Sequence, residues 1–491
     1  MAFCGEHITF VACAPDSAGR GETLVFGTNS CMKAGCHERE FFIREPQPLM
    51  IGLGKVPWSV RHVACGEHHT AFMTCSGQLF TAGRNDYGQL GLDSTAPWAR
   101  TLSEVPLRGK VARGVACGRD YTLLVAADGI QLSLWACGNN HCDQLALDSA
   151  VEGLYVIRFV EVDTSHLQVL RPAETRVRVA CGETHSVVAW GDVLATTGVG
   201  GMGLGDASRE AHRLNVLPEQ PWVGHTITDL AAGWDHTVVG VCTTEREFRV
   251  YTWGQNGFGQ MGFPEWKICK SPVRVDFEFC KRLPRRFSSM IVAHAMNTIV
   301  MVEGRVWTFG WTDLTDPASR ACAFRSYMAM NCSTTPKLVD PGLFGGARVA
   351  TVSAGLQHSA FVTVDGSLYM YGSMNPKHAY KENWHAEDKG DMKNNGIPTA
   401  VAGRQRSGSR YICERHPLLR PTLVSADVLR GNVVGAWHMG SEKKMAAVMG
   451  LHPRIGKASV LFGMHPEIVR TILDFVALDN LLDACRDATA H

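Results

Sequence analysis

The chain has 491 residues, 45% hydrophobic and 19% charged, with a formal net charge of +1. That balance excludes the broad basic excess of a nucleic-acid coat or a membrane-adhering surface and leaves room only for local patches. The 50 glycines suit a fold of many tight turns rather than long helices.

The start, MAFCGEHITFVACAPD, shows neither a basic leader nor a long apolar run, and the uncharged stretch from Ser288 is too short and too polar to span a bilayer. The expectation is a soluble protein in the cytoplasm and/or nucleus, with its cysteines as thiols. Along the chain one unit recurs, clearest as VACGEHHTAFMTCSGQLFTAGRNDYGQLG from Val63 to Gly91. Its first half is an anchor, Gly66 followed three residues later by His69; its second half is a turn opening at Gly83. The anchor returns at Gly118 with Tyr121, at Gly182 with His185, at Gly233 with His236 and at Gly355 with His358, and a degenerate copy places His294 and Asn297 in those positions. Anchor spacings of 52, 64, 51, 61 and 61 residues, with turn copies at Gly27, Gly83, Gly138, Gly198, Gly254, Gly310 and Gly372, are too long for a helical solenoid and right for propeller blades. Between anchor and turn lie short alternating segments such as TAFMTC, VYTWG and RVWTFG, which read as strands.

The fold expected is all-β, a seven-bladed β-propeller closed by pairing of N- and C-terminal strands. The turn at Gly27 would join a C-terminal anchor at Gly435 and His438, while CGEHITF at Cys4 offers a competing anchor. The propeller spans 1–450. A polar inter-blade insertion occupies about 373–420, and from Lys377 to Arg420 it carries nine Lys or Arg against five Asp or Glu. Residues 451–491 form a helical extension, with Ile468, Ile472, Phe475 and Leu478 at helical spacing after Pro466.

The repeats VACGEHHT, GRNDYGQLG and GQNGFGQMG resemble those of the regulator of chromosome condensation family, and the likeness covers the chain from about Thr23 to about Gly450. The resemblance implies a propeller that binds other macromolecules without covalent chemistry, because its members include exchange factors, ubiquitin-ligase modules and a plant photoreceptor. The photoreceptor's repeated Gly-Trp-x-His-Thr occurs here once, at Gly233–Thr237, which argues against light sensing.

The anchor histidines share one phase, so they read as structural, holding blades together by hydrogen bonds to neighbouring backbone. Cys65, Cys117 and Cys181, each preceding an anchor glycine, read as small buried fillers. Gly198–Gly203 matches a dinucleotide fingerprint but sits in a blade turn with no helix after it. No catalytic motif, cofactor site or metal site stands out; Cys31 and Cys36 have no second ligand pair. For a protein partner, the insertion residues Trp384, His385, Lys389, Arg404, Arg406 and Arg410 are the candidate contacts, and Lys281, Arg282, Arg285 and Arg286 form a candidate import signal. A small GTPase, through guanine-nucleotide exchange, and a ubiquitin-ligase component are the two specific partners that stay open.

Overall fold

The computed structural model describes residues 1–5, 8–12, 23–35, 42–49, 60–170, 176–201, 203–205, 209–265, 267–277, 283–284, 287–311, 332–355, 358–372 and 418–424, with 30, 42, 44–48, 372 and 418–424 described for their backbone alone. Seven antiparallel four-stranded sheets follow one another along the chain, and each is built from consecutive strands. Blade 1 is β1 (Ala2–Cys4), β2 (Ile8–Ala12), β3 (Thr23–Thr28) and β4 (Phe42–Pro48); blade 2 is β5 (Val60–Cys65), β6 (His69–Thr74), β7 (Leu79–Arg84) and β8 (Trp98–Glu104). Blade 3 is β9 (Val111–Cys117), β10 (Tyr121–Asp128), β11 (Gln131–Asn139) and β12 (Tyr155–Val162); blade 4 is β13 (Val177–Cys181), β14 (His185–Trp190), β15 (Val193–Gly198) and β16 (Asn215–Val216). Blade 5 is β17 (Thr226–Ala232), β18 (His236–Cys242), β19 (Phe248–Gly254) and β20 (Cys269–Val275); blade 6 is β21 (Ser289–His294), β22 (Asn297–Val302), β23 (Arg305–Trp311) and β24 (Cys332–Leu338). Blade 7 is β25 (Val349–Ala354), β26 (His358–Thr363), β27 (Leu368–Gly372) and β28 (Leu418–Val424).

The first strand of each blade packs against the first strands of its neighbours, so these strands form the inner wall around the propeller axis. Apolar cores lie between blades rather than within them. One joins Tyr121, Leu123 and Val125 of blade 3 to Val188, Trp190 and Val193 of blade 4, and another joins Val238 and Val250 of blade 5 to Val300, Trp307 and Phe309 of blade 6. Trp253 is wholly buried and stacks on Trp222 at 6.0 Å, which accounts for it as packing.

The turn glycines have a specific cause. Gly27, Gly83, Gly138, Gly198, Gly254 and Gly310 all have φ between +93° and +110°, a region other residues avoid. There the third strand kinks under the anchor hairpin. The next N–H then reaches the hairpin carbonyl, as Arg84 N to His68 O at 3.0 Å and Gln255 N to Asp235 O at 2.8 Å. A Cβ on Gly83 would meet the His68 carbonyl oxygen and the His69 backbone.

Closure differs from the strand exchange that the repeat phase suggests. Blade 1 is entirely N-terminal and uses the anchor at Cys4, with Gly5 N bonded to Ile8 O at 2.8 Å. Blade 7 likewise takes all four strands from its own stretch. The two ends are joined by the contacts used at other seams: Thr9 meets His358, Cys4 N donates to Ser353 Oγ at 2.7 Å, and a Cβ on Gly355 would strike the Gly5 carbonyl. An anchor that clasps the next blade closes the ring without a shared sheet. The insertion is also relocated. It lies within blade 7, between β27 and β28, and its last residues from Leu418 belong to the outer strand. Gly435, His438 and the helix after Pro466 lie outside the described residues, as does the boundary at 450.

Candidate functional site at the channel mouth

The anchor histidines His69, His185, His236 and His358 are buried. Their Nε2 atoms lie 2.9–3.0 Å from the hydroxyls of Thr122, Thr237, Thr298 and Thr9, each on the following blade. Thr122, Thr237 and Thr298 donate their one hydroxyl proton to the carbonyls of Gln89, Gly201 and Gln260. Each must therefore accept from imidazole Nε2–H. The bond expected to go to backbone runs instead through a hydroxyl that relays it. Nδ1 of each ring has no hydrogen-bond partner, and a Cβ on Gly66, Gly182 or Gly233 would overlap the ring. Burial pushes His69, His236 and His358 down to about 3 and His185 to about 4, so all four are neutral clasps. Tyr121 does the same work from blade 3, its hydroxyl donating to His185 O at 2.5 Å.

These clasps hold the anchor hairpins in a ring at one mouth of the channel. The loops between third and fourth strands open on the same side, because both loop types begin where β6 and its equivalents begin. Backbone bonds link adjacent hairpins: Glu67 N to Arg119 O at 3.3 Å, Glu183 N to Trp234 O at 3.0 Å and Trp234 N to Ala295 O at 3.2 Å. The two residues between anchor glycine and histidine vary from blade to blade and face this mouth. Arg119 bridges three blades, with Nε 2.8 Å from Glu67 and a short bond from Nη1 to Glu183, while its side chain stays 50% exposed. Such exposure makes the network worth little to stability, but it fixes the charge pattern. Asp120 beside it is pushed up to about 6 by burial first and Glu67 second, against the pull of Arg119 and Arg84, and its Oδ1 has no hydrogen-bond partner. Burial and then Glu183 raise Asp235 on the far side.

Aromatic groups flank this charged crest. Over blades 2 and 3, Tyr87 lies 5.1 Å from Tyr155, His141 Nε2 is 2.9 Å from the Tyr155 hydroxyl, and Arg84 sits 5.9 Å above Tyr87. Tyr155 is 48% exposed, next to Leu154 and Val151. Over blades 5 and 6, Trp234, Phe258 and Trp311 pack on Ala295 and Met296. Half-exposed tyrosine, tryptophan and arginine around a polar centre are the composition of a protein-binding face.

None of the insertion candidates Trp384, His385, Lys389, Arg404, Arg406 and Arg410 is a described residue, though the chain leaves and re-enters blade 7 on this same side. Lys281, Arg282, Arg285 and Arg286 are likewise outside the described residues; between them Leu283 is buried, its N–H bonded to Arg246 O on the opposite face. Cys65, Cys117 and Cys181 end the inner strands of blades 2, 3 and 4 and are partly buried there. Burial pushes Cys65 and Cys181 up to about 12 and Cys117 well above the usual range, so they are poor nucleophiles. Every described cysteine is a free thiol, and no group of metal-ligating side chains occurs among the described residues. Gly203 packs on Trp253 inside the shortened turn of blade 4, which explains the fingerprint match without a nucleotide.

Arg119 is not apparent from the sequence because it lies in a variable slot of a constant frame, and its signal is the change of residue type between fixed Gly and His positions; Tyr155 opens the outer strand of blade 3, outside the repeated anchor and turn.

Known proteins agree with this geometry. The family description "Regulator of chromosome condensation (RCC1) repeat" matches residues 60–89, 227–260 and 76–125. The chain is 30% identical to the mouse "Secretion-regulating guanine nucleotide exchange factor" over 51% of its own length and 52% of that protein. It is 28% identical to the Arabidopsis thaliana "Ultraviolet-B receptor UVR8" over 56% and 60%, and 26% identical to the Xenopus laevis "Protein RCC2 homolog" over 60% and 61%. The chain thus spans between half and two thirds of these relatives. Among solved structures, yeast RCC1 (Prp20) bound to Kap60 superimposes with a TM-score of 0.55 at 16% identity, covering 71% of this chain and 78% of that one. Human WBSCR16 gives 0.54 at 17% identity, covering 72% and 88%. These likenesses show the fold. With its matched repeats, its relatives and its seven contiguous blades in agreement, this chain is a seven-bladed β-propeller that carries regulator of chromosome condensation repeats at residues 60–125 and 227–260.

Proposed function

We propose that this propeller is a non-enzymatic interaction platform that binds a protein partner on the face carrying the anchor hairpins. The observation that carries this reading is Arg119, half exposed and held across three blades by Glu67 and Glu183, beside the exposed Tyr155 ledge. A pre-set guanidinium next to aromatic anchors binds a partner at low ordering cost. The protein works inside the cell, in cytoplasm and/or nucleus; no helix among the described residues is long and apolar enough to cross a membrane. The test is quantitative capture of bound proteins with the wild type, Arg119→Glu and Tyr155→Ala. A partner lost from both variants supports the reading, and a partner set unchanged in both removes it.

A second reading, guanine-nucleotide exchange on a small GTPase, is favoured by the name of the mouse relative. Release of labelled GDP from Ran-type and related GTPases discriminates. Acceleration abolished by Arg119→Glu makes the platform an exchange factor, and a flat response across the panel leaves an adaptor.

A further inference from the structure

The channel's other mouth carries an unrelated feature. Each innermost strand starts at this rim and runs toward its anchor hairpin. In β5, β9, β17 and β25 the pairing with the second strand shifts register at the position five residues before the anchor glycine, which leaves Arg61, Arg113, Thr228 and Ala350 as bulge residues. A bulge releases its extra residue from the ladder and re-aims the side chain. Arg61 and Arg113 are therefore turned outward on neighbouring blades, both exposed, on strands that pack against each other.

Neither arginine has a hydrogen bond or ion pair to any described residue. Several other cations of this face do. Arg348 is 3.2 Å from Glu303, Lys110 is 3.9 Å from Asp128, Arg249 is 2.7 Å from Glu247, and Arg178 lies in the field of Asp229. The same bulge holds threonine and alanine in blades 5 and 7, so among the bulge positions positive charge is confined to blades 2 and 3. Two unpaired guanidiniums at one rim repel each other unless an anion lies between them. Their planar donor forks match carboxylates bidentately. Just inside the rim, Phe3 and His62 stand edge to face at 5.6 Å, which gives the position an apolar wall. The net charge of +1 supplies no general field for a nucleic-acid duplex.

We propose that Arg61 and Arg113 form a binding site for an acidic polypeptide segment of a partner, on the face opposite the anchor hairpins. The site is independent of the partner bound at Arg119. Fluorescence anisotropy with a labelled oligoglutamate peptide tests it, using the intact chain and a neutral oligoglutamine as reference. The acidic peptide should bind, weaken with salt, and lose at least about tenfold in affinity in R61E/R113E, while R61K/R113K falls between and R119E matches the wild type. Both residues are exposed, so unchanged melting of the variants accompanies the loss. No preference for oligoglutamate over oligoglutamine overturns the proposal, as does an affinity unchanged in R61E/R113E. A single-stranded oligonucleotide that binds as tightly and is lost in the same variant overturns the peptide assignment in favour of a polyanion. Complete displacement by inorganic phosphate at low concentration overturns it in favour of a phosphate site.

Discussion

Six of the seven seams of this propeller are of two kinds, and at the seventh, between blades 3 and 4, Tyr121 takes the histidine's place. At the junctions of blades 2 with 3, 4 with 5, 5 with 6 and 7 with 1, a buried neutral histidine reaches a threonine hydroxyl on the next blade. At the junction of blades 1 and 2 the histidine position is Ile8, and the facing Thr70 hydroxyl has only the Cys65 thiol beside it. At the junction of blades 6 and 7 the position is Asn297, whose Oδ1 meets no described partner. Ring closure at blades 7 and 1 is therefore clasped, and the bare seams flank it. The contrast teaches that the repeated histidine contributes a directional bond between blades, while apolar burial alone suffices where it is replaced.

The largest effect expected from this contrast is acid lability. A clasp histidine held at about 3 to 4 while its unfolded pKa is 6.5 stays neutral in the fold and takes up a proton only on unfolding. The stability at stake is thus full above pH 6.5 and declines as the pH falls from 6.5 toward the folded values. One unit below 6.5 the four clasps together lose about 6 kcal/mol, comparable with the whole margin of an ordinary domain. Urea unfolding followed from pH 7.5 to 5 should show it, and a flat profile would break the assignment of neutral clasps.

Next in size is the direct comparison of seams. His236→Ala removes a ring packed on Gly233 and the bond to Thr298, and should cost about 3–5 kcal/mol. Asn297→Ala at the bare seam should cost under about 1 kcal/mol. Equal losses in denaturant titration would erase the distinction.

Smaller and opposite in sign is Asp120, whose folded carboxyl is pushed up to about 6 from its ordinary value of 3.8. A raised carboxyl disfavours the fold above pH 6 and ceases to do so as the pH falls toward 3.8. Asp120→Asn should therefore stabilise by about 1–2 kcal/mol at pH 7.5, with the gain vanishing by about pH 4. A melting series across that window checks it. The smallest effect is constructive. Ile8→His offers blade 1 the clasp it lacks toward Thr70 and should add up to about 1 kcal/mol; a loss of stability instead would show that the bare seam has no room for an imidazole.

Much of this was legible in sequence because it is local. Gly66 and His69 close one hairpin, Gly83 needs its positive φ one strand later, and Asn85 caps its own turn through Leu90 N at 3.1 Å and Ser94 O at 3.0 Å. Such bonds span few residues, so they leave a repeating signature. The partner of each histidine lies 52 to 62 residues ahead where the chain runs on, and 349 residues back at closure. The hydroxyl residue after each histidine, threonine at Thr70 and Thr237 and serine at Ser186 and Ser359, was on view in every copy, yet nothing local says that it serves the preceding blade.

The sequence by itself determined the blade count, the strand-rich class and the structural role of the histidines, since each follows from a period and from turn chemistry within one unit. Only the tertiary structure decided how the ring closes, because a periodic chain reads alike whether its ends share a sheet or clasp as separate blades. It also decided which variable residues converge. Arg119 meets Glu67 and Glu183 from blades on either side, and Arg61 and Arg113 fall on strands that pack against each other. Those neighbours are set by rotation about the propeller axis, a distance that sequence separation does not encode.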